Sequence, residues 1–454
     1  MSITKQSLLD LGLVFPVFSG VQIDLNAVDH TMPDGRKVPA SLCDHNCTEE
    51  VGNYTCPAAF TLNRGIKPRF ASKEAILRWI EIGRAGLILA RDAFLANYFG
   101  QYCQMFRVPL EVEGILRELL RTNLCEVNLF GGNPEMHPEV LSLVRELKRE
   151  GFRVNLTTTG RRLLTSQKFA SKIVADPPHL LALSADDFDP ACLDELFQMS
   201  LPDLVQVWKK IGPLRGQSQK FVEGIFAAKF MREHNAEGAI LFNMVLHHGN
   251  LRHAREIMHA LAHYLPGVLV NPYPAQDSFL GGNGLLFAPE DLVLFGELID
   301  FFIAETVAGN PTLTKRLQYW LVMKAILEEC DPAEASQFLS GHGTWQCYRH
   351  ELVAGAGMYL QIGKRNPIHT ATDVEPGGHA GCYWQNETVT MLKQISSAVQ
   401  VASHVICGQS EKVSGPCPGC SMPRLWFNSV TTELGLNPRL VPRYLDLRLQ
   451  YVGF

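Results

Sequence analysis

Three closely spaced cysteines are the residues of this sequence best suited to chemistry. Cys43, Cys47 and Cys56 follow one another in the order C-x3-C-x8-C. Three thiolates on one stretch suit a [4Fe–4S] cluster that leaves one iron free for an exogenous ligand. A structural zinc site is the alternative, with His45 as the nearest candidate for a fourth ligand. Packing of one or two of these thiols as small buried hydrophobes is a third interpretation.

A second group of five cysteines lies towards the C-terminus. Two of them belong to a C-x2-C turn, Cys417-Pro-Gly-Cys420, which lets both thiols face one metal. Four of the five suit either an auxiliary iron–sulfur cluster or a zinc ion: Cys347, Cys382, Cys407, Cys417 and Cys420. The remaining four cysteines are scattered and are predicted to serve in packing: Cys103, Cys125, Cys192 and Cys330.

Polar residues stand where predicted strands end. Gly131-Gly132-Asn133-Pro134 follows the second predicted strand, and its two glycines permit close approach of the backbone to a ligand. Thr158 follows the third strand, Ser184 and Asp186 end the fourth, and Asn243 interrupts the fifth. Taken singly, each is equally compatible with a tight turn, a helix cap or a buried amide with structural partners.

An alternation of short apolar strands with amphipathic helices positions these residues. The candidate strands are Val21–Asn26, Glu126–Phe130, Arg153–Thr157, Leu180–Ser184, Ile240–Leu246 and Val268–Asn271. Near-continuous apolar runs of this kind are typical of parallel strands that are covered on both faces. The sequence therefore predicts an α/β protein with a partial (βα)6 parallel TIM-like barrel, whose ligand site gathers at the carboxyl ends of the strands.

The alternation fades after about residue 310, where we predict a domain boundary. Residues 1–310 are assigned to the partial barrel, with a cysteine loop at 43–56 and a helical insertion at about 72–120. Residues 311–454 are predicted to form a smaller Cys-rich domain that binds an auxiliary cluster or another metal.

In this order, the motifs resemble those of the radical S-adenosylmethionine (SAM) superfamily over roughly residues 20–285. In that family a cysteine triad after the first strand ligates three irons, usually as C-x3-C-x2-C. The longer interval before Cys56 departs from this pattern. Gly131–Pro134 looks like the family's Gly-Gly-Glu-Pro motif, which holds the methionyl amino group, with Asn133 in place of Glu.

The resemblance extends to later strands and to the C-terminus. Thr158, the pair Ser184 and Asp186, and Asn243 are similar to the family's polar positions on the third, fourth and fifth strands. The C-terminal cysteines partly resemble the auxiliary-cluster extensions called SPASM or twitch.

The resemblance implies an enzyme that cleaves SAM reductively at a [4Fe–4S] cluster. The resulting 5′-deoxyadenosyl radical would abstract hydrogen from a peptide or a small metabolite, and a flavodoxin- or ferredoxin-like protein would supply the electron. No general acid or base is identifiable. Two alternatives are a non-catalytic or electron-transfer iron–sulfur protein on the same barrel, and a barrel stabilised by zinc.

Composition limits the partners that we expect. The 454 residues are 46% hydrophobic and 19% charged, with a formal net charge of −5 and no long run of one sign. This gives no electrostatic footprint for nucleic acid. No apolar run approaches the ~20 residues of a spanning helix. Since no secretory signal is recognisable either, we predict a cytoplasmic protein without nucleic-acid or membrane partners.

Overall fold

The structure is a computed structural model. It describes residues 18–31, 37–45, 60–61, 126–212, 215–275, 286–314, 317–340, 358–362 and 438–452, together with parts of the stretch 70–121. Among the described helices, none combines the length and the apolar character that crossing a bilayer requires.

A single parallel sheet of seven strands organises the described chain. In sequence order its strands are β1 (Phe18–Asp24), β5 (Glu126–Phe130), β6 (Arg153–Thr157), β7 (Leu180–Ser184), β8 (Ala239–Leu246), β9 (Leu269–Pro274) and β10 (Met358–Ile362). Their spatial order is β10-β1-β5-β6-β7-β8-β9, and every neighbouring pair is parallel. The α/β class with a parallel sheet is therefore confirmed, and an open order of this kind is consistent with a partial barrel.

Three short strands form a second sheet between β1 and β5. They are β2 (Ala27–Thr31), β3 (Lys37–Cys43) and β4 (Phe60–Thr61), with β2 antiparallel and β4 parallel to the central β3. None of these three strands was predicted from the sequence. The first strand spans Phe18–Asp24 rather than the predicted Val21–Asn26. It ends earlier because Leu25 and Asn26 form a turn.

Helices cover the sheet between its strands. In chain order they are α1 (Phe99–Met105), α2 (Leu110–Arg121), α3 (Val140–Arg149), α4 (Arg161–Thr165), α5 (Gln167–Ala175), α6 (Leu193–Gln198), α7 (Leu201–Ile211), α8 (Gly216–Glu233), α9 (Ala254–Tyr264), α10 (Leu292–Val307), α11 (Leu317–Glu329), α12 (Pro332–Ser340) and α13 (Val441–Val452). The apolar stripe of α3, which includes Val140, Val144 and Leu147, is fully buried against the sheet.

Burial along the strands separates two faces of the sheet. In β8 the side chains of Ile240, Phe242, Met244 and Leu246 are buried in the core, and the alternate residues are only partly buried. The same alternation holds in β5 and β9. The helices therefore cover the apolar face more completely than the face that carries Asn128, Asn243 and Asn271.

Elements on both sides of residue 310 pack together. The ring of Phe302 in α10 stacks on Trp320 in α11 with centroids 4.4 Å apart, and both residues are buried. Strand β10, which lies beyond residue 310, pairs with β1 at the edge of the sheet. The domain boundary near residue 310 stays a prediction.

Candidate metal and cofactor site

The first predicted cysteine lies beside the glycine turn that follows β5. Cys43 is the last residue of β3 and is only 8% exposed. The next residue, Asp44, accepts a hydrogen bond through Oδ1 from Asn133 Nδ2 at 2.9 Å. This bond joins two segments that are 89 residues apart. The cysteine stretch and the glycine turn therefore meet at the carboxyl edge of the parallel sheet.

The side chain of Asn26 holds the backbone of the glycine turn through two hydrogen bonds. Gly131 and Gly132 have φ angles of 105° and 53°, in the left-handed region that favours glycine. Asn26 Nδ2 donates to the carbonyl of Gly131 at 3.0 Å and to that of Asn133 at 2.7 Å. Asn26, placed by the tight turn after β1, thus fixes the carbonyl groups of the predicted cofactor loop.

The side chain of Asn133 is engaged at both ends. Its Nδ2 donates to Asp44, and its Oδ1 accepts a hydrogen bond from Thr158 Oγ1 at 2.9 Å. Both Asn133 and Thr158 are buried. Two predicted cofactor residues are therefore in contact, and Asn133 joins three strand ends. The role of its Oδ1 in binding an ammonium group stays a prediction.

His45 and Glu223 form a fully buried pair behind the cysteine. His45 Nε2 lies 2.6 Å from Glu223 Oε2, and neither side chain is exposed. The other ring nitrogen, Nδ1, lies 3.1 Å from Asp44 Oδ1 and 3.7 Å from Cys43 Sγ. Burial alone would lower the pKa of His45, but the Glu223 carboxylate and the hydrogen bonds to Asp44 and Cys43 raise it well above its usual range.

Arg161 and Trp208 complete this arrangement. Arg161 donates to the carbonyl of Asp44 at 2.5 Å, and its Nε lies 3.7 Å from Asp44 Oδ2 and 3.9 Å from Glu223 Oε1. Trp208 Nε1 donates to Glu223 Oε1 at 2.8 Å. Although burial opposes ionisation of Asp44, hydrogen bonds from His45 and Asn133 and the nearby cations lower its pKa to about 2. We call Cys43, Asp44, His45, Asn133 and Glu223 the cysteine edge.

Glu135 is a buried carboxyl beside the same turn. Its Oε2 accepts from the backbone N–H of Arg162 at 2.7 Å, near the start of α4, and its Oε1 has no hydrogen-bond partner. Burial raises the pKa of Glu135 to about 8, and the negative charges of Asp44 and Glu223 add to this. The turn therefore contains a carboxyl that holds a proton at neutral pH.

Two other predicted cofactor residues lie at the next strand exits, where Asp186 is tied to the protein itself. Lys220 Nζ donates to Asp186 Oδ2 at 3.0 Å, and the backbone N–H of Val245 donates to its Oδ1 at 3.1 Å. Asn250 Nδ2 donates to the carbonyls of Asp186 and Val245 at 2.5 and 2.7 Å. We call Asp186, Lys220, Val245 and Asn250 the Asp186 edge. Ser184, the last residue of β7, is half-buried next to it.

Asn243 and two consecutive histidines, His247 and His248, lie near the Asp186 edge. Asn243 Oδ1 accepts from Asn271 Nδ2 at 2.8 Å, so this amide pair links β8 to β9. His247 is buried, and burial lowers its pKa to about 4. His248 is 57% exposed, and its Nδ1 lies 2.8 and 2.9 Å from the two carboxylate oxygens of Asp291.

The structure brings together only some of the predicted site residues. Cys43, the turn Gly131–Pro134 and Thr158 form one cluster, and Ser184, Asp186 and Asn243 lie at the neighbouring exits. The other predicted metal ligands lie outside the described residues: Cys47, Cys56, Cys347, Cys382, Cys407, Cys417 and Cys420. Their convergence stays a prediction.

The scattered cysteines differ from one another. Cys103 and Cys330 are buried, which confirms packing, whereas Cys192 is exposed, so the packing prediction is wrong there. Its position in the short turn before α6 leaves the thiol at the surface. Cys125 lies outside the described residues.

Sequence reasoning missed several side chains of the site, four of them around His45. Asp44, Arg161, Trp208 and Glu223 were not predicted to contribute, and their contacts are long-range. One signal was present: α8 is buried along most of its length, yet it carries Lys220 and Glu223. Charged residues within a buried helix need partners, which marks both as candidates for a site.

Comparisons with known proteins give limited further information. No protein-family model matches the chain, and no curated protein matches it. Among solved structures, native anSMEcpe with bound AdoMet is similar at a TM-score of 0.42 and 14% identity, over 95% of this chain and 99% of that one. TYW1 with a lysine-pyruvate adduct is similar at a TM-score of 0.30 and 12% identity, over 55% of this chain and 69% of that one. At these values the similarities assign neither a substrate nor a site to this chain.

Proposed function

We propose that the chain is a radical SAM enzyme. Cys43, Cys47 and Cys56 hold a [4Fe–4S] cluster, and SAM binds beside the turn Gly131–Pro134. The observation that carries this proposal is the hydrogen bond between Asp44 and Asn133, which holds Cys43 against the glycine turn. Parallel α/β folds place ligand sites at this edge of the sheet.

The residues present fit such a cluster and its ligand. Three thiolates leave one iron of a [4Fe–4S] cluster open, and Cys43 stands buried at the edge of the site. The two glycines with positive φ keep the adjacent backbone free of side chains. The unpartnered, buried Oε1 of Glu135 beside the turn is a polar atom that a bound group can satisfy.

When bound, the cluster supplies the electron that cleaves the sulfonium C–S bond of SAM and gives the 5′-deoxyadenosyl radical, which abstracts hydrogen from substrate. The chain's own residues orient and enclose this chemistry. Asn26 fixes the carbonyls of Gly131 and Asn133, and Thr158 fixes the Asn133 amide. The burial of Asn133, Thr158 and His45 keeps water from this side of the site.

Anaerobic reconstitution tests the proposal. We expect about four irons and four sulfides per chain from the cysteine triad, with further iron if the C-terminal cysteines also bind a cluster. With dithionite and SAM, the reconstituted chain is expected to release 5′-deoxyadenosine. Cys43→Ser should abolish that release, whereas Cys103→Ser, a buried cysteine on α1, should retain it.

Two outcomes would contradict this function. Iron without 5′-deoxyadenosine would favour the non-catalytic or electron-transfer alternative on the same barrel. Zinc without iron after reconstitution would favour the zinc-stabilised barrel.

The finer proposals concern the C-terminus and the partners. We propose that four of the five C-terminal cysteines bind a second iron–sulfur cluster. The double variant Cys417→Ser/Cys420→Ser should then lose about four irons per chain while the SAM cluster stays loaded. A flavodoxin- or ferredoxin-like donor and a peptide or small-metabolite substrate complete the proposal, which places the enzyme in the cytoplasm.

A further inference from the structure

The three consecutive residues Cys43, Asp44 and His45 bring three different metal-ligand atoms close together. The thiol sulfur, a carboxylate oxygen and an imidazole nitrogen all lie within 4.8 Å of one another. Each of these atoms is a good ligand for a divalent ion of the zinc class. This is the one group of its kind in the part of the chain that the structure describes.

Two of the distances between these atoms match edges of a coordination tetrahedron. Tetrahedral zinc, with bonds of about 2.3 Å to sulfur and about 2.05 Å to nitrogen, separates these two ligand atoms by about 3.6 Å. Cys43 Sγ and His45 Nδ1 are 3.7 Å apart. The corresponding edge between nitrogen and carboxylate oxygen is about 3.3 Å, and His45 Nδ1 and Asp44 Oδ1 are 3.1 Å apart.

Glu223 supplies a second, independent indication. Metal-binding histidines commonly donate the N–H of the ring nitrogen that does not bind the metal to a carboxylate, which fixes the ring orientation. His45 Nε2 lies 2.6 Å from Glu223 Oε2, so its Nδ1 is directed at Asp44 and Cys43. Glu223 is itself anchored by the Trp208 N–H. The imidazole is thus held by a buried helix in the orientation that ligation needs.

We propose that Cys43, Asp44 and His45 form a mononuclear site for a divalent cation of the zinc class, occupied when the chain carries no iron–sulfur cluster. The ion takes the place of the Nδ1 proton of His45, and Glu223 is a positioning residue. The proposal rests on the described side chains, independently of the proposed function. If that function also holds, zinc and the cluster compete for Cys43.

Cobalt binding to the full-length, cluster-free chain under anaerobic conditions tests the site. Thiolate ligation of Co²⁺ gives a charge-transfer absorption band that can be titrated. We expect Cys43→Ser and His45→Ala each to remove one bound Co²⁺ per chain or weaken its binding at least tenfold. Glu223→Gln should weaken binding by about tenfold, as losses of outer-sphere partners do. His248→Ala, in an exposed pair with Asp291, is the matched control and should bind as the wild type does.

A measurement on the unaltered chain covers the case in which a variant fails to fold. Zn²⁺ should slow alkylation of Cys43 at least tenfold, as followed by peptide mass spectrometry, while alkylation of the exposed Cys192 should be unchanged. Equal alkylation of Cys43 with and without Zn²⁺, or unchanged Co²⁺ binding in folded His45→Ala, overturns the proposal.

The two proposals fail separately. A chain that takes up iron and releases 5′-deoxyadenosine but binds no Co²⁺ through His45 loses only the mononuclear site. A chain that binds Co²⁺ through His45 but takes up no iron loses only the radical function. If both hold, loading with Zn²⁺ before reconstitution should lower iron uptake by about four per chain.

Discussion

The cysteine edge and the Asp186 edge lie at neighbouring strand exits and use charge differently. At the Asp186 edge, both carboxylate oxygens and the carbonyl of Asp186 are taken by Lys220, Val245 and Asn250. At the cysteine edge, Asn133 and Arg161 hold the Asp44 carboxylate in a similar way, but the sulfur of Cys43 faces an imidazole whose orientation is fixed by a buried carboxylate. The charged groups of the Asp186 edge satisfy one another, whereas the cysteine edge also brings a thiol, a carboxylate oxygen and an imidazole nitrogen within 4.8 Å of one another.

One helix serves both edges. Lys220 and Glu223 are one turn apart on α8, and the first reaches Asp186 while the second reaches His45. Gly224 allows this close approach, because a Cβ there would lie 2.8 Å from the carbonyl oxygen of Ser184. Helix α8 therefore stabilises the Asp186 edge through Lys220 and orients the imidazole of His45 at the cysteine edge through Glu223.

Removal of the Lys220 charge is expected to give the largest difference in stability between the two edges. Lys220→Met leaves the Asp186 carboxylate buried without its cation, so we expect a loss of about 3–5 kcal/mol in the free energy of unfolding. Urea denaturation under anaerobic conditions measures it, with the exposed Lys168→Met as the control. Cobalt binding at the cysteine edge should be kept in the folded protein. A loss below 1 kcal/mol would mean that this pair does not stabilise the exit.

The raised pKa of Glu135 makes the stability of the region around the glycine turn depend on pH. Its folded-state pKa of about 8 lies above the ordinary 4.5, so the folded protein keeps a proton that the unfolded chain releases. Wild-type stability should therefore fall as pH rises from about 4.5 to 8, by up to about 1.4 kcal/mol per pH unit. Glu135→Gln removes this slope and should become more stable relative to wild type as pH rises. Parallel slopes for both proteins would show that Glu135 is ionised in the fold; the exposed Glu150→Gln is the control.

The hydrogen bond from Thr158 to Asn133 connects the ends of β6 and β5 at the cysteine edge. Thr158→Val removes the donor to Asn133 Oδ1, and we expect a loss of about 1 kcal/mol in unfolding free energy. In the proposed enzyme the freed amide should also change SAM affinity, measured by equilibrium dialysis with the reconstituted chain. An unchanged affinity would separate the structural role of Asn133 from cofactor binding.

The smallest effect is expected at the exposed histidine pair. His248 and Asp291 form the same kind of contact as His45 and Glu223, but His248 is 57% exposed. His248→Ala should therefore cost no more than about 1 kcal/mol. Thermal unfolding of this variant beside His45→Ala measures how much burial adds to a histidine–carboxylate contact. Equal losses would remove the distinction between the two pairs.

Local patterns were enough for most of the sheet. The bounds of β5, β6 and β7 are as predicted, because each is a compact apolar run between helix and turn residues. β1 was predicted too far along the chain because Leu25 is apolar, as strand residues are. In the structure Leu25 is buried but lies in the turn that carries Asn26. Strand β10 was missed because its partner, β1, lies more than three hundred residues earlier in the chain.

The site could be predicted only in part for the same physical reason. Cys43, the glycine turn and Thr158 were recognisable as strand-exit motifs. The contact of His45 with Glu223 spans 178 residues, and no local periodicity specifies it. It depends on how α8 packs, which requires the tertiary structure.

The position of β1 between β5 and β10 has a consequence for biosynthesis. On one side β1 pairs with β5, but its other edge receives β10 only once residues 358–362 have been made. A ribosome that adds residues one by one therefore leaves one edge of β1 without its hydrogen-bonded neighbour until residues 358–362 have been added. Final closure of this edge, next to the segment that leads to Cys43, is consequently a late event in the maturation of the nascent chain.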